Sequence, residues 1–332
     1  MDYCTVETKE LAGSPLRPHS LKSEMSNGLL ALEETIDQTK ALLSASLKEG
    51  ELQGVAAELR ATQEEISSWA KALWKAHTFP ETAANRLAAA DRLFPGTYAA
   101  YRFLLINNSL RSLDELAQLP VDNSVKILMC KEYQFFTSAD PDWLHLFKPT
   151  EYSYRAFTGI SLSERFHAGL LDWEETGFPR SWFTKVPRKD LLVVFHYLLF
   201  RMGGLRPFWF PHNAFLRGKI QMMREREWEA SLLLMAKSMK LQPQIKGILT
   251  GSWFYCPNTH RITPHLAWTT RIFLENGALM TNIGPADPKA GFLEGARGRQ
   301  ELYESGQYRP TETILLWPRE NILHWLESHP RK

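Results

Sequence analysis

The sequence predicts an α+β fold, with a helical N-terminal half and a C-terminal mixed α/β sheet domain of alternating strands and helices. Three observations lead there. Leu29, Leu32, Ile36 and Leu43, then Leu52, Leu59, Ile66 and Leu73, recur at helical spacing. Ile245–Tyr255 alternates in polarity and Thr311–Trp317 is rich in β-formers. Helical stretches and short strands then alternate through the C-terminal third, a pattern that lays helices over a sheet. The expected division is a loose tail over 1–25, a helical region over 26–150, and an α/β domain over 151–332 that carries the candidate site.

Each element has its own signal. Residues 1–25 mix charges, prolines and a glycine without apolar periodicity. Ser26-Asn27 can cap the first helix, because their side-chain oxygens accept from free backbone N–H groups. Gly50 breaks that helix. The second stripe, with Val55 and Trp69 on the same side, forms an antiparallel hairpin with the first. An alanine-rich helix over Thr82–Leu93 stops at Pro95-Gly96. Ser124–Phe136 fits helix and strand equally, and Ala139-Asp140-Pro141-Asp142 reads as a turn. Ile160–Glu175 reads as a helix capped by Ser161 or Ser163 and ended by Gly177-Phe178-Pro179. Leu191–Arg201 reads as a buried helix or strand closed by Gly203-Gly204. Pro207 and Pro211 frame the aromatic patch Phe208-Trp209-Phe210. A long helix is expected over Arg217–Met239. After the strand 245–255 come helix 264–276, strand 278–284, helix 293–305, strand 311–317 and helix 320–327.

Bulk properties exclude several function classes. The 332 residues are 44% hydrophobic and 23% charged, enough to fill a core and too apolar for a disordered chain. The 39 basic and 37 acidic residues leave a formal charge of +2, which gives no long-range field to gather nucleic acid or anionic lipid. Cys4, Cys130 and Cys256 are odd in number and widely spaced, which argues for a reducing compartment rather than a disulfide framework. The first residues contain neither a basic n-region nor an apolar h-region. Leu191–Met202, interrupted by His196 and Arg201, falls short of the ~20 apolar residues a bilayer requires. The expected setting is cytoplasmic, with neither nucleic acid nor membrane as a partner.

The strong catalytic motifs are absent: no Walker loop, no dinucleotide GxGxxG, no His-Glu-x-x-His and no CxxC pair. Gly251-Ser252-Trp253 lacks the second glycine of a nucleophile elbow. The densest polar constellation is Cys256, His260, Arg261 and His265. Its Cys-x3-His-x4-His spacing offers soft and borderline metal ligands within one loop. It equally offers a general base near neutral pH, so His260 and His265 are candidate catalytic residues and no metal is favoured. His212 stands beside Trp209 and Phe210. Together with Trp253 and Tyr255, Trp209 and His212 make a candidate substrate pocket. His196 reads as core. His167, Asp172, Glu174 and Glu175 read as the solvated face of a helix. In Gly291–Arg299, three glycines and two arginines enter a helix. Backbone N–H groups there, with Arg297, Gly298 and Arg299, can hold an anionic group of a cofactor.

The order strand, helix, strand, helix, strand over 245–317, with Leu302-Tyr303-Glu304-Ser305-Gly306-Gln307-Tyr308, resembles the C-terminal half of the GCN5-related N-acetyltransferase fold. In that family a helix ending in a Leu-Tyr-Glu-type sequence precedes a glycine and an aromatic residue. The resemblance implies an acyl-coenzyme A donor, with Tyr303 beside the departing thiolate as its proton donor. The family's pyrophosphate loop, Arg/Gln-x-x-Gly-x-Gly/Ala, lies between a strand and the next helix. The corresponding stretch, Pro257–Pro264, contains no glycine.

The leading expectation is a small-molecule biosynthetic or modifying enzyme, an acyltransferase acting on an amine or alcohol. His260 or His265 would be its base, Tyr303 its acid, and Arg297 and Arg299 its anion holders. Two alternatives stand beside it. One is a metal-dependent oxygenase or hydrolase. The other is a non-catalytic interaction protein that docks a partner, or a second copy of itself, through the N-terminal helices.

Overall fold

The computed structural model describes residues 18–48, 81–92, 98–138, 151–213, 224–287 and 297–329, with a few positions between 59 and 68. The fold is α+β. Among the described residues no helix is long and apolar enough to cross a membrane.

The first helix, α1, spans Pro18–Ser46 and so begins ahead of the expected Ser26-Asn27 cap. Proline suits a first helical turn, where its missing N–H would have had no partner. The hairpin about Gly50, the stripe through Leu73, the stop at Pro95-Gly96 and the turn at 139–142 lie outside the described residues, Leu59 excepted, which is buried. The alanine-rich helix is present as α2 (Glu81–Asp91). Next come α3 (Ala99–Leu116) and α4 (Asn123–Phe135). The stretch that fitted either period is therefore helix, and the Asp122 carboxylate accepts from Ser124 N at its start.

A correction follows. The helix α5 (Glu151–Ser161) ends where a helix over 160–175 was expected to begin. Its place is taken by the hairpin β1 (Arg165–Ala168) and β2 (Leu171–Thr176). Ala168 pairs with Leu171, so the loop is Gly169-Leu170, and Gly169 has φ +84°. A positive φ at the first loop residue is what a tight hairpin needs and what glycine supplies without a Cβ penalty.

Helices α6 (Arg180–Lys185) and α7 (Arg188–His196) follow, α7 running on as one π turn over Tyr197–Arg201. Strand β3 (Phe208–Asn213) is followed by α8 (Glu225–Lys240); the first part of the helix expected over Arg217–Met239, residues 217–223, lies outside the described residues. Arg319 Nη1 donates to the carbonyls of Met239, Gln242 and Ile245, so a guanidinium closes the C-terminal end of α8. Strand β4 covers Gly247–Ser252, and a 3-10 turn follows at Trp253–Tyr255. The stretch read as a loop is a short helix, α9 (Pro257–Ile262). The helix expected over 264–276 divides into a 3-10 turn (Pro264–Leu266) and α10 (Trp268–Glu275). The chain closes with β5 (Leu279–Pro285), α11 (Arg297–Glu304), β6 (Thr311–Pro318) and α12 (Arg319–Glu327).

The six strands form one sheet in the order β1-β2-β3-β4-β6-β5. Every neighbouring pair is antiparallel except β3 and β4, which run parallel. Side chains alternate between the two faces. Leu171, Trp173, Trp209, Ile248, Leu315 and Trp317 join a core that continues through α8 and α12 into the N-terminal helices. The opposite face presents Phe208, Leu249, Ile314 and Leu316 to Phe178, Val194, Leu198 and Met202. Each such side chain taken from water contributes about 1.5–3 kcal/mol. The parallel step between two sheet halves is therefore fixed by apolar packing on both faces.

Candidate functional site

The β3–β4 step leaves a crevice in the strand pairing of the sheet. The two strands share the single register pair Trp209↔Ile248, at their N-terminal ends. Along their outer edges both are fully paired, β3 to β2 as far as Asn213 and β4 to β6 as far as Ser252. Beyond Trp209 and Ile248 the register between them stops, and the sheet opens toward the C-terminal ends of two parallel strands.

The four predicted pocket residues lie on or just after these two strands, with Trp209 and Tyr255 buried in the main core and Trp253 in a separate small one. Trp209 and His212 lie on β3, and Trp253 and Tyr255 lie just past the end of β4. Burial pushes the Tyr255 hydroxyl up to about 12, against a hydrogen bond with Thr250. On the face shared with Phe208, Trp182 of α6 closes the crevice. Its ring lies 6.4 Å from Phe210, and a Cβ at Gly251 would meet its Cη2 at 3.0 Å. A glycine is needed at 251 for that approach.

A buried polar cluster lines the β1–β2–β3 side. His212 Nε2 lies 3.2 Å from Glu174 Oε1, and the Phe210 and His212 rings are 4.9 Å apart. In register, Glu174 faces Arg165 on one side and Phe210 on the other, while Asp172 faces His167 and His212. The Asp172 carboxylate holds His167 Nδ1 at 2.6 Å and Arg165 Nη2 at 3.7 Å. Glu132 of α4 stands 3.6 Å from His167 Nε2. Arg165, His167, Asp172, Glu174 and Glu132 are all buried. These residues are not the solvated helix face the sequence suggested. The hairpin turns them inward, where the carboxylates stand beside the Arg165 guanidinium and the two imidazoles.

A corner beyond β4 gathers further predicted residues. Trp253 stacks on Phe254 with centroids 4.1 Å apart, and the Arg299 guanidinium lies 4.9 Å over the Trp253 ring. Burial holds the Arg299 pKa below its ordinary value, against the pull of Tyr308. Among the described residues, Arg299 Nε has no hydrogen-bond partner. Tyr303 packs in the same small core as Trp253 and Tyr308, beneath the Arg309 guanidinium. His260 Nε2 donates to the Phe254 carbonyl at 2.7 Å. His265 is exposed on its 3-10 turn. Arg297 and Gly298 are exposed at the start of α11, and Arg297 pairs with Glu301 one turn on. Gly291–Ala296 lies outside the described residues.

Cys256 does not join a metal set. Its Sγ accepts from the Thr311 backbone N–H and hydroxyl at 3.4 and 3.2 Å. Burial pushes this thiol up. Hydrogen bonds from Thr311 and from the backbone of Thr259 and Asn258 outweigh that and leave it below the ordinary thiol value. Among the described residues no group of three or more His, Cys, Asp or Glu is arranged to hold a metal ion.

The sequence reading missed Glu132, Arg165, Asp172, Glu174 and Trp182 as site residues. The signal for three of them, Arg165, Asp172 and Glu174, was the alternation on either side of Gly169. No protein-family model, curated protein or solved structure matches the chain.

Proposed function

We propose that this protein is an acyltransferase that carries an acyl group from a coenzyme A thioester to an amine or alcohol. The carrying observation is the single parallel step in an otherwise antiparallel sheet, with register lost beyond Trp209↔Ile248. An extended donor with amides along its length has a strand edge on either side of such a gap. At the far corner Arg299, anchored on Trp253, supplies a planar cation for an anionic group. The strand and helix order over 245–317 supports the same reading through its resemblance to the N-acetyltransferase family.

The chemistry assigned to this chain is proton handling and orientation. Glu174 Oε1 stands 3.2 Å from His212 Nε2, where a carboxylate favours the imidazolium that forms when His212 accepts a proton. His212 takes the proton from the attacking amine or hydroxyl as the bond to the acyl carbon forms and the carbon–sulfur bond breaks. Tyr303 gives its proton to the leaving thiolate, and solvent restores it. Asp172, held between His167 and Arg165, fixes the strand pair on which Glu174 stands.

The test is a thermal-shift and thiol-release experiment on the purified chain. Coenzyme A at a hundred times its dissociation constant should stabilise the fold by ~2.7 kcal/mol. An acyl-coenzyme A should release free thiol in the presence of a suitable member of a panel of amines and alcohols. No shift with any coenzyme A species, together with no thiol release across the panel, sinks the reading.

A further inference from the structure

The segment that covers the apolar face of the sheet is itself apolar on its outer side. Helix α7 and its π turn use Val194, Leu198 and Met202 against the sheet. The other side carries Leu192, Val193, Phe195, Leu199 and Phe200 into solvent, with Leu192 79% and Phe200 72% exposed. The sequence pattern predicted this run as buried. A helix that is apolar all round normally is. Among the described residues only half of it has a partner, and Leu205 extends the exposed surface past the turn. A contiguous apolar face of this kind marks an interaction site.

Charge identifies the partner. Between Gly177 and Arg206 the chain has six basic residues, Arg180, Lys185, Arg188, Lys189, Arg201 and Arg206, and all six are exposed. The one acidic residue of that stretch, Asp190, faces the sheet side, where its Oδ2 accepts from the Thr281 hydroxyl at 3.4 Å. The chain as a whole is nearly balanced, at 39 basic to 37 acidic. Basic residues are thus concentrated around the exposed apolar face where most of the exposed large hydrophobic side chains among the described residues lie. A second copy offering the same face would bring like charges together.

From this we infer that α7 and its π turn form an interfacial helix that lies on an anionic lipid surface. Leu192, Phe195, Leu199 and Phe200 would enter the headgroup–acyl boundary. Arg188 and Lys189 at one end and Arg201 and Arg206 at the other have stems long enough to reach phosphate while their heads stay wet. That no described helix is long and apolar enough to cross a membrane is no obstacle, because such a helix lies in the plane of the interface. The inference does not depend on the acyl-transfer reading.

The experiment is co-sedimentation with vesicles of phosphatidylcholine alone and of phosphatidylcholine with phosphatidylserine. Wild type should bind the anionic vesicles, and rising salt should weaken that binding. Each basic residue removed in Arg188→Gln and Lys189→Gln should lower affinity by about fivefold. The double variant Leu192→Glu/Phe200→Glu should abolish binding. Both positions point to solvent, so its melting temperature and circular dichroism should match wild type. Equal binding to neutral vesicles, no vesicle binding, or binding untouched by the double variant overturns the inference. So does a wild-type dimer in sedimentation equilibrium that the double variant dissociates, because the face would then be covered by a second copy.

Discussion

The backbone of Trp209 pairs with that of Ile248, and among the described residues this is the only register pair joining β3 to β4. The opening beyond it places a half-buried histidine on one strand opposite aromatic residues that follow the other. In the acyl transfer proposed above, His212 is the general base. His212→Ala should lower acyl transfer by about 10²–10⁴-fold with little change in stability. It should also flatten the acid limb of the pH–rate profile. Glu174→Gln should act in the same direction with a smaller loss. An unchanged profile in His212→Ala would remove His212 from catalysis.

The Arg165–Asp172–His167–Glu132 set predicts a stability effect of a different kind. Removing one member leaves opposite charges buried without compensation. Asp172→Asn should destabilise the fold by about 3–5 kcal/mol in urea unfolding. A loss below about 1 kcal/mol would mean that water reaches the cluster.

Alkaline pH should unfold the protein before the usual lysine and tyrosine range is passed. Burial raises the Cys130 thiol from 9.0 to about 11 and the Tyr255 hydroxyl from 10.0 to about 12. Burial also moves Tyr133 upward. These groups stay protonated in the folded chain while the unfolded chain loses its protons. The unfolded state then binds fewer protons, so stability falls as pH rises. The fall begins near 9 and continues to about 12. Cys130 alone accounts for roughly 2–3 kcal/mol of it. Cys130→Ala should shift the onset upward in a pH series of thermal melts.

Gly247 has φ +152°, and a Cβ there would lie 2.2 Å from the Trp317 carbonyl oxygen. Gly247→Ala adds strain and a backbone clash at the start of β4. A loss above about 3 kcal/mol is expected, read as a fall in melting temperature. A neutral result would show that β4 and β6 can separate locally.

Much of the fold was legible in the sequence because local rules were sufficient. The β-former runs at 245–255 and 311–317, the Asn276-Gly277 stop and the leucine spacing in α1 each carry their own signal, and each is present. Trp209, His212, Trp253 and Tyr255 could be singled out as aromatic or titratable residues near turns. Which strands they stand on or follow, and that Trp209 and Tyr255 share one core while Trp253 joins another, is set by the order of strands, which depends on contacts far apart in sequence. The hairpin at Gly169 was misread because Leu162, Phe166 and Leu170 satisfy a helical period as well, and the pairing of β2 with β3 settles the choice. That pairing also buries Arg165, His167, Asp172 and Glu174. Polar side chains look solvated to any local rule, and only a second strand and a covering helix can hold their charges out of water. The same limit applies in reverse to Leu191–Arg201. Its composition determined that it would be apolar all round, and tertiary structure alone decided that one side would face the sheet and the other solvent.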